Sequence, residues 1–296
     1  MKTGLLITNA YLKSKKYPEQ IEMFEEAAKN RGIRLIPMTN ADFMAVYTSR
    51  GITVTPYESI PDSLKFVLFW DKDVKLAAAF SALGYPVFNS ASGIELSDDK
   101  AKTLEARSGL VRIPETIAAP LTFREVPYSN YDFLEIPERI LSYPFIIKES
   151  YSSFGRQVYL ANSHAEALEI LKKVRYPFVF QDFIEESSGH DIRLQVVGSK
   201  VVAAILRYND SDFRANMKDG GEIKAYTPSK EEAELAVEIV KRLGLDFAGV
   251  DLLFGQGGPI LCEVNPNAQF KKIFECTGVN TADEILKYIN WRLVGA

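Results

Sequence analysis

Two carboxylates and an amide near the carboxyl end of the chain carry the strongest chemical signal. Asp251 lies in the apolar run Ala248-Gly249-Val250-Asp251-Leu252-Leu253-Phe254, and Glu263 and Asn265 lie in Pro259-Ile260-Leu261-Cys262-Glu263-Val264-Asn265. Gly255-Gln256-Gly257-Gly258 joins the two runs, which predicts an antiparallel hairpin. With the turn centred near Gly257, Asp251 falls opposite Glu263 and Leu253 opposite Leu261. Side chains alternate along a strand, so Asp251, Leu253, Leu261, Glu263 and Asn265 share one face, and Val250, Leu252, Cys262 and Val264 share the other. Facing carboxylates repel each other, and beside leucines they need a compensating positive charge. Three oxygen donors without sulfur or imidazole suit a hard cation, magnesium before calcium, with water and phosphate oxygens completing its shell. The alternative is a solvated polar face with two incidental acids, and the hairpin alone leaves both open.

Other residues upstream bear on that choice. Pro144-Phe145-Ile146-Ile147-Lys148 is an apolar strand ending in a lysine, which must either reach water or meet an anion. The following Glu149-Ser150-Tyr151-Ser152-Ser153-Phe154-Gly155 leads into a second strand, Gln157 to Leu160. A loop of small residues beside a lysine can turn its backbone N–H groups onto phosphates, and it can equally be a plain hairpin loop. It is not a Walker A loop, because it has no G-K-[ST] and a strand rather than a helix follows. Asp191-Ile192-Arg193-Leu194-Gln195-Val196-Val197 has clean period two, with Asp191, Arg193 and Gln195 on the face away from the core, as in any half-exposed strand. The stretch from Tyr208 to Gly221 is too polar for a core, carries Arg214 and Lys218, and has a length common among functional loops. Lys100, in Asp98-Asp99-Lys100, reads on its own as a solvated lysine, and His164 falls in the exposed first turn of a capped helix and is assigned no role.

The elements that must position these groups follow from periodicity. Residues 1 to about 97 alternate strand and helix: strands at Gly4 to Thr8, Ile33 to Ile36, Phe66 to Trp70 and Pro86 to Phe88, with helices at Glu19 to Asn30 and Val74 to Leu83. Such alternation implies a parallel sheet flanked by helices. No G-x-G-x-x-G follows the first strand, which disfavours a dinucleotide site and an NAD-dependent oxidoreductase. A helical connector spans 90 to 113. Capping boxes at Ser163/Glu166, Ser229/Glu232 and Thr281/Glu284 predict three further helices. The chain divides on this reading into 1–97, 98–186 and 187–296.

Composition sets the outer bounds. A chain of 296 residues, 47% hydrophobic and 25% charged, has room for two or three cores. A net charge of −4 with both signs interspersed gives no nucleic-acid footprint, and no apolar run reaches membrane-spanning length. Two cysteines argue against a disulfide framework and fit a reducing cytoplasm. Two histidines leave almost no room for a histidine-built metal site or a Ser-His-Asp triad.

Taken in order, PFIIKES, the Ser-Ser-Phe-Gly loop, QDFIEE, HDIRLQVVG, DFRANMKDGG, AGVDLLF and EVN resemble the ATP-grasp superfamily, in its RimK-like carboxylate–amine ligase branch, over residues 98 to 290. The resemblance implies an α/β class of α+β ATP-grasp type: an N-terminal parallel α/β pre-ATP-grasp domain, followed by two α+β lobes that clamp ATP. It further implies that Lys148 and Lys100 hold ATP phosphates and that Ser153 and Gly155 belong to the phosphate loop. Gln181, Asp182, Phe183 and Ile184 would bind the adenine edge, with Asp191 near the ribose. Arg214 and Asn216 would reach the phosphates and the reacting carboxylate, with Arg193 as a further catalytic cation. Asp251, Glu263 and Asn265 would hold two Mg2+ ions, or Mn2+ in their place, with Glu263 bridging. The implied reaction phosphorylates a carboxylate with ATP, and an amine then displaces phosphate; a synapsin-type ATP-binding module without turnover is the alternative. The implied partners are a carboxylate and an amine, one an amino acid such as glutamate and the other a peptide or small molecule, with no nucleic acid and no membrane. The subunit count stays open, a homo-oligomer included. Two departures stand out: Pro266-Asn267-Ala268 follows Asn265 where the ribosomal-protein-modifying branch has a small residue and Pro-Gly, and Tyr151 and Gln157 stand where relatives often have glycine.

Overall fold

The computed structural model describes residues 2–12, 16–105, 109, 111–123, 125–151, 157–175, 177–215 and 221–295. The first unit comprises β1 (Lys2–Thr8), α1 (Lys16–Asn30), β2 (Ile33–Thr39), β3 (Met44–Thr48), β4 (Gly51–Thr55), β5 (Leu64–Phe69), α2 (Val74–Ala82) and β6 (Val87–Phe88). Its main sheet runs β2-β1-β5-β6, and every pairing in it is parallel. β1 and β5 read as nearly continuous apolar runs because both faces of such a sheet are covered. The antiparallel β3–β4 hairpin was not expected from the sequence; its Ser49-Arg50 turn lacks the Asn-Gly or Asp-Gly signature.

The connector forms α3 (Ala91–Asp98) and α4 (Lys100–Glu105). A second sheet, β7 (Thr116–Ala118), β10 (Phe178–Asp182), β8 (Phe145–Glu149) and β9 (Val158–Ala161) in that spatial order, carries α5 (Glu135–Leu141) and α6 (His164–Leu171). A third combines β11 (His190–Val197), β12 (Lys200–Tyr208), β13 (Glu222–Ala225), β14 (Phe247–Leu253) and β15 (Ile260–Asn265) in the order β13-β12-β11-β14-β15. Helix α7 (Lys230–Arg242) covers one face, and α8 (Lys271–Thr277) and α9 (Thr281–Gly295) follow. α7 opens with the reciprocal box foreseen: Ser229 Oγ accepts from Glu232 N and Glu232 Oε2 from Ser229 N. At α6 the box is one-sided, because the Glu166 carboxylate accepts from Asn162 instead. At α9 the expectation fails: Asn280 Oδ1 accepts from Ala282 N at 3.0 Å, and Thr281 is buried inside the first turn. An asparagine one residue earlier caps as well as threonine does.

The hydrophobic cores divide differently from the sheets. Leu6, Phe24, Phe66 and Trp70 of the first sheet and its helix share one core with Phe247, Phe270, Ile285, Leu286 and Ile289 from the far end of the chain. The Trp70 ring stacks on Phe247 with centroids 5.6 Å apart. The second sheet has a separate core built on Phe145, Ile147, Phe178 and Phe180. Asn89, fully buried just after β6, ties the first sheet to the third: its Nδ2 donates to Phe247 O (2.9 Å) and Pro266 O (3.0 Å), and its Oδ1 accepts from Asp246 N (2.6 Å) and Phe247 N (3.0 Å). Truncating it strands four buried backbone groups. Asn89→Ala is expected to lower unfolding free energy by about 3 kcal/mol, measured by urea denaturation, since each orphaned group costs roughly 1–3 kcal/mol less any compensation by water.

Candidate active site

The β14–β15 pairing sets Asp251 opposite Glu263 and Gly249 opposite Asn265, as the alternation required. Beyond that point the register shifts: Leu252, not Leu253, pairs with Leu261. Cys262 is the extra residue of a β-bulge, and it turns to the same side as Glu263. The expected face assignment is thereby corrected at two positions. Leu261 goes to the core under α7, while Cys262 joins Asp251, Leu253, Glu263 and Asn265 around a cavity of about 490 Å³.

Asp251 does not wait for a metal to be neutralised. Arg193 Nε and Nη2 donate to its two oxygens at 2.6 Å each, and Arg207 Nη2 lies 2.9 Å from Oδ2. Arg207 in turn holds both oxygens of Asp191 at 2.6 Å. Burial pushes the Asp251 carboxyl upward, but the Arg193 and Arg207 charges outweigh it and hold the group below the usual carboxylate range. The register explains the cluster, since β11 pairs Arg193 with Asp251 and β12 pairs Arg207 with Asp191.

The second sheet supplies positive charge to the same cavity. Lys148 on β8 is only 4% exposed and donates to Gln181 Oε1 on β10 at 2.7 Å; Gln181 Nε2 passes the bond on to Thr116 Oγ1 at 2.7 Å. Its partner is thus neutral, and burial together with the nearby Lys100 charge lowers its affinity for a proton. Lys100 is itself buried, with its ammonium 3.7 Å from Glu263 Oε1. The Cys262 thiol between these groups is pushed up to about 12 by burial, so it stays protonated.

Asp182, Phe183, Ile184 and Arg214 line this cavity too, with Arg214 gripping Asp212 through Nε (2.9 Å) and Nη2 (2.6 Å). Lys100, Lys148, Gln181, Asp191, Arg193, Asp251, Glu263 and Asn265 therefore meet these four in one cavity. Ser153, Gly155 and Asn216 lie outside the described residues. Arg207 was not singled out as a site residue: a single arginine at the end of a long strand gives no sign of its partners. The first sheet also contributes Asn9, Tyr17, Asp71 and Lys72, which sequence spacing could not place because they lie about 200 residues from the hairpin.

Mg2+ needs oxygen donors that are not already committed to other cations. No group of three His, Cys, Asp or Glu side chains among the described residues makes a metal site by itself. Among the described residues, Glu263 is half-buried with the 3.7 Å contact to Lys100 as its only ion pair, and the Asn265 side chain makes no hydrogen bond, its Nδ2 being buried without a partner. These two fit a hard cation as they stand. Asp251 fits only if a guanidinium gives up one of its oxygens.

Removing one member of so buried a set leaves a bare charge. Arg207→Met is expected to destabilise the fold by about 3–5 kcal/mol. Adding Asp191→Asn to it should recover part of that loss, and urea unfolding of the single and double variants measures both.

Residues 98–289 match the RimK-like ATP-grasp domain. The MG012 homolog of Mycoplasma pneumoniae is 31% identical over 276 residues, 91% of this chain and 93% of that protein. A probable alpha-L-glutamate ligase of Legionella pneumophila (strain Corby) is 36% identical over 214 residues, 70% of this chain and 68% of that one. The crystal structure of a RimK domain ATP-grasp protein from Sphaerobacter thermophilus superposes over 97% of this chain and 98% of its own with a TM-score of 0.71 at 20% identity, which speaks to the fold. The family match over residues 98–289 and the 31% identity across 91% of the chain place it: the chain belongs to the RimK-like ATP-grasp family.

Proposed function

We propose that the chain is an ATP-dependent carboxylate–amine ligase that forms an amide through an acyl phosphate and releases ADP and phosphate. Ligases of the ATP-grasp family use ATP and Mg2+ to join such substrates. The observation that carries the reading is the convergence of Lys100, Lys148, Arg193 and Arg214 with Glu263 and Asn265 in one cavity. A triphosphate and a carboxylate repel each other, and these cations offset the repulsion as the phosphoryl group moves. Lys148, held in place by Gln181, offers its remaining N–H groups to phosphate oxygens. Glu263 and Asn265 would hold Mg2+, which supplies further charge neutralisation at the phosphates. The segment from Ser152 to Gly155 would keep water from the acyl phosphate, and Asn216 would reach the phosphates and the reacting carboxylate. The Legionella relative's name suggests glutamate as the amino acid added.

The arginine lock on Asp251 favours a second reading, an ATP-binding module that does not turn over. Incubation with Mg-ATP, pooled amino acids and a cell extract, followed by mass spectrometry for a new amide, separates the two. The ligase reading expects amide and ADP in step, falling on the order of a hundredfold or more in Glu263→Gln. Tight ATP binding without ADP formation for any acceptor, or turnover unchanged in Glu263→Gln, would sink it.

A further inference from the structure

Two of the three oxygen donors on the acid hairpin are open to a cation, and the third is not. Asp251 is 2% exposed, whereas the Glu263 side chain keeps 31% of its surface. Each Asp251 oxygen faces an Arg193 N–H at 2.6 Å, and Oδ2 meets Arg207 Nη2 as well. The two guanidiniums and the carboxylates of Asp191 and Asp251 form a closed set of four charges that sums to zero. A divalent cation on Asp251 would displace a guanidinium and then stand beside that unanswered like charge.

The backbone builds this contact in. β11 pairs Arg193 with Asp251 and β12 pairs Arg207 with Asp191, so three adjacent strands present the four charges on one face. Gly249, two residues before Asp251, leaves room on the same face. A Cβ there would lie 2.5 Å from Ala268 Cβ, and 3.6 and 3.7 Å from Arg193 Cδ and Nε. Any side chain at 249 would therefore press on Ala268 beside the path that Arg193 takes to Asp251. Arg193 and Arg207 also border both this cavity and a smaller one that contains Gln20 and Lys272. Their Nη1 groups make no hydrogen bond among the described residues. The acids thus hold two cationic groups in place while N–H donors remain for an anion.

We infer that Asp251 is the counter-ion that positions Arg193 and Arg207 rather than a metal ligand, and that the cavity holds one divalent cation per nucleotide, on Glu263 and Asn265. This differs from the two ions bridged by Glu263 that the sequence resemblance implies. The two guanidiniums bring to Asp251 the same two positive charges that a second ion would bring. Glu263 lies across the strand pair from Asp251 and Asn265 across from Gly249, so both stand beside the arginine set without belonging to it. The inference rests on the nucleotide reading of the cavity and gives Asp251 a part in it other than coordination.

The test counts ions. Mn2+ is titrated into the full chain with equimolar AMP-PNP, and bound ions are counted from the loss of the free-Mn2+ electron paramagnetic resonance signal, with AMP-PNP alone as the reference. One ion per chain is expected, with a spectrum free of Mn–Mn coupling. Two bridged ions, about 3.5–4 Å apart, would couple their spins. Asp251→Asn should keep the count at one and leave the bound-ion spectrum unchanged. Glu263→Gln should return the spectrum to that of Mn–AMP-PNP alone. The same return in Asp251→Asn overturns the inference, as does a second ion or a coupled spectrum in wild type. Circular dichroism reports whether Asp251→Asn has folded; where it has not, the wild-type count and spectrum decide. Failure of the nucleotide reading is distinct: wild type that leaves AMP-PNP unbound at saturating Mn2+ overturns both readings, whereas AMP-PNP bound with two ions overturns this one alone.

Discussion

Like charges on neighbouring strands are the constraint around which the third sheet is arranged. Along one row, Arg193 on β11 pairs with Asp251 on β14, which pairs with Glu263 on β15. Two residues away, Arg207 on β12 pairs with Asp191 on β11. Asp251 and Asp191 therefore each have a cation across a strand boundary, whereas Glu263, facing Asp251, is approached by Lys100 from the connector. A slip of one residue in any of these pairings would turn the charges into the core under α7 and bring Ile192, Leu252 or Val264 to the cavity. The cost of burying an uncompensated carboxylate thus fixes the register as firmly as the leucines do.

The cores decide which parts of the site are held together. The first and third sheets share a core through α9 and are linked by Asn89, so Asp71 and the acid hairpin sit on one packed body. The lysine sheet has its own core and meets that body across the cavity, where Lys100 N donates to Ser150 O at 3.2 Å. The acids and arginines gain positional precision from this arrangement. Lys148 is carried by the other body, so the span between Lys148 and Glu263 depends on how the two bodies meet.

Some of this was legible in the residues and some was not. The facing acids followed from strand alternation alone, because a short glycine-rich turn fixes the register near the turn centre. The bulge at Cys262 did not follow, since an inserted residue leaves no mark in composition, and its effect was to exchange Leu261 for a thiol at the cavity wall. The parallel first sheet was legible as alternating strand and helix, whereas Asp71 looked like one more acid in the polar run Asp71-Lys72-Asp73. Arg207 was invisible for the same reason that Asn89 was: each acts through partners brought to it only by the folded sheet order. Local periodicity reports which face a side chain takes, and it does not report what lies on the other side of a cleft.

The two halves of the cavity are left in different electrostatic states. On the acid side, Asp191 and Asp251 are already answered by two arginines, so an added cation is drawn to Glu263 and Asn265, where oxygen donors are less committed. On the lysine side, the Lys148 ammonium is answered by a neutral glutamine, Lys100 lies 3.7 Å from a Glu263 oxygen, and the Cys262 thiol adds no negative charge. An anion entering there would relieve the mutual repulsion of Lys100 and Lys148 and restore the proton affinity that burial takes from Lys148. On the reading proposed above, a nucleotide carrying its own divalent cation would satisfy both halves at once, with phosphates at the lysines and the metal at Glu263. Neither the anion nor the cation alone does so, because each would leave one half of the cavity as unbalanced as before.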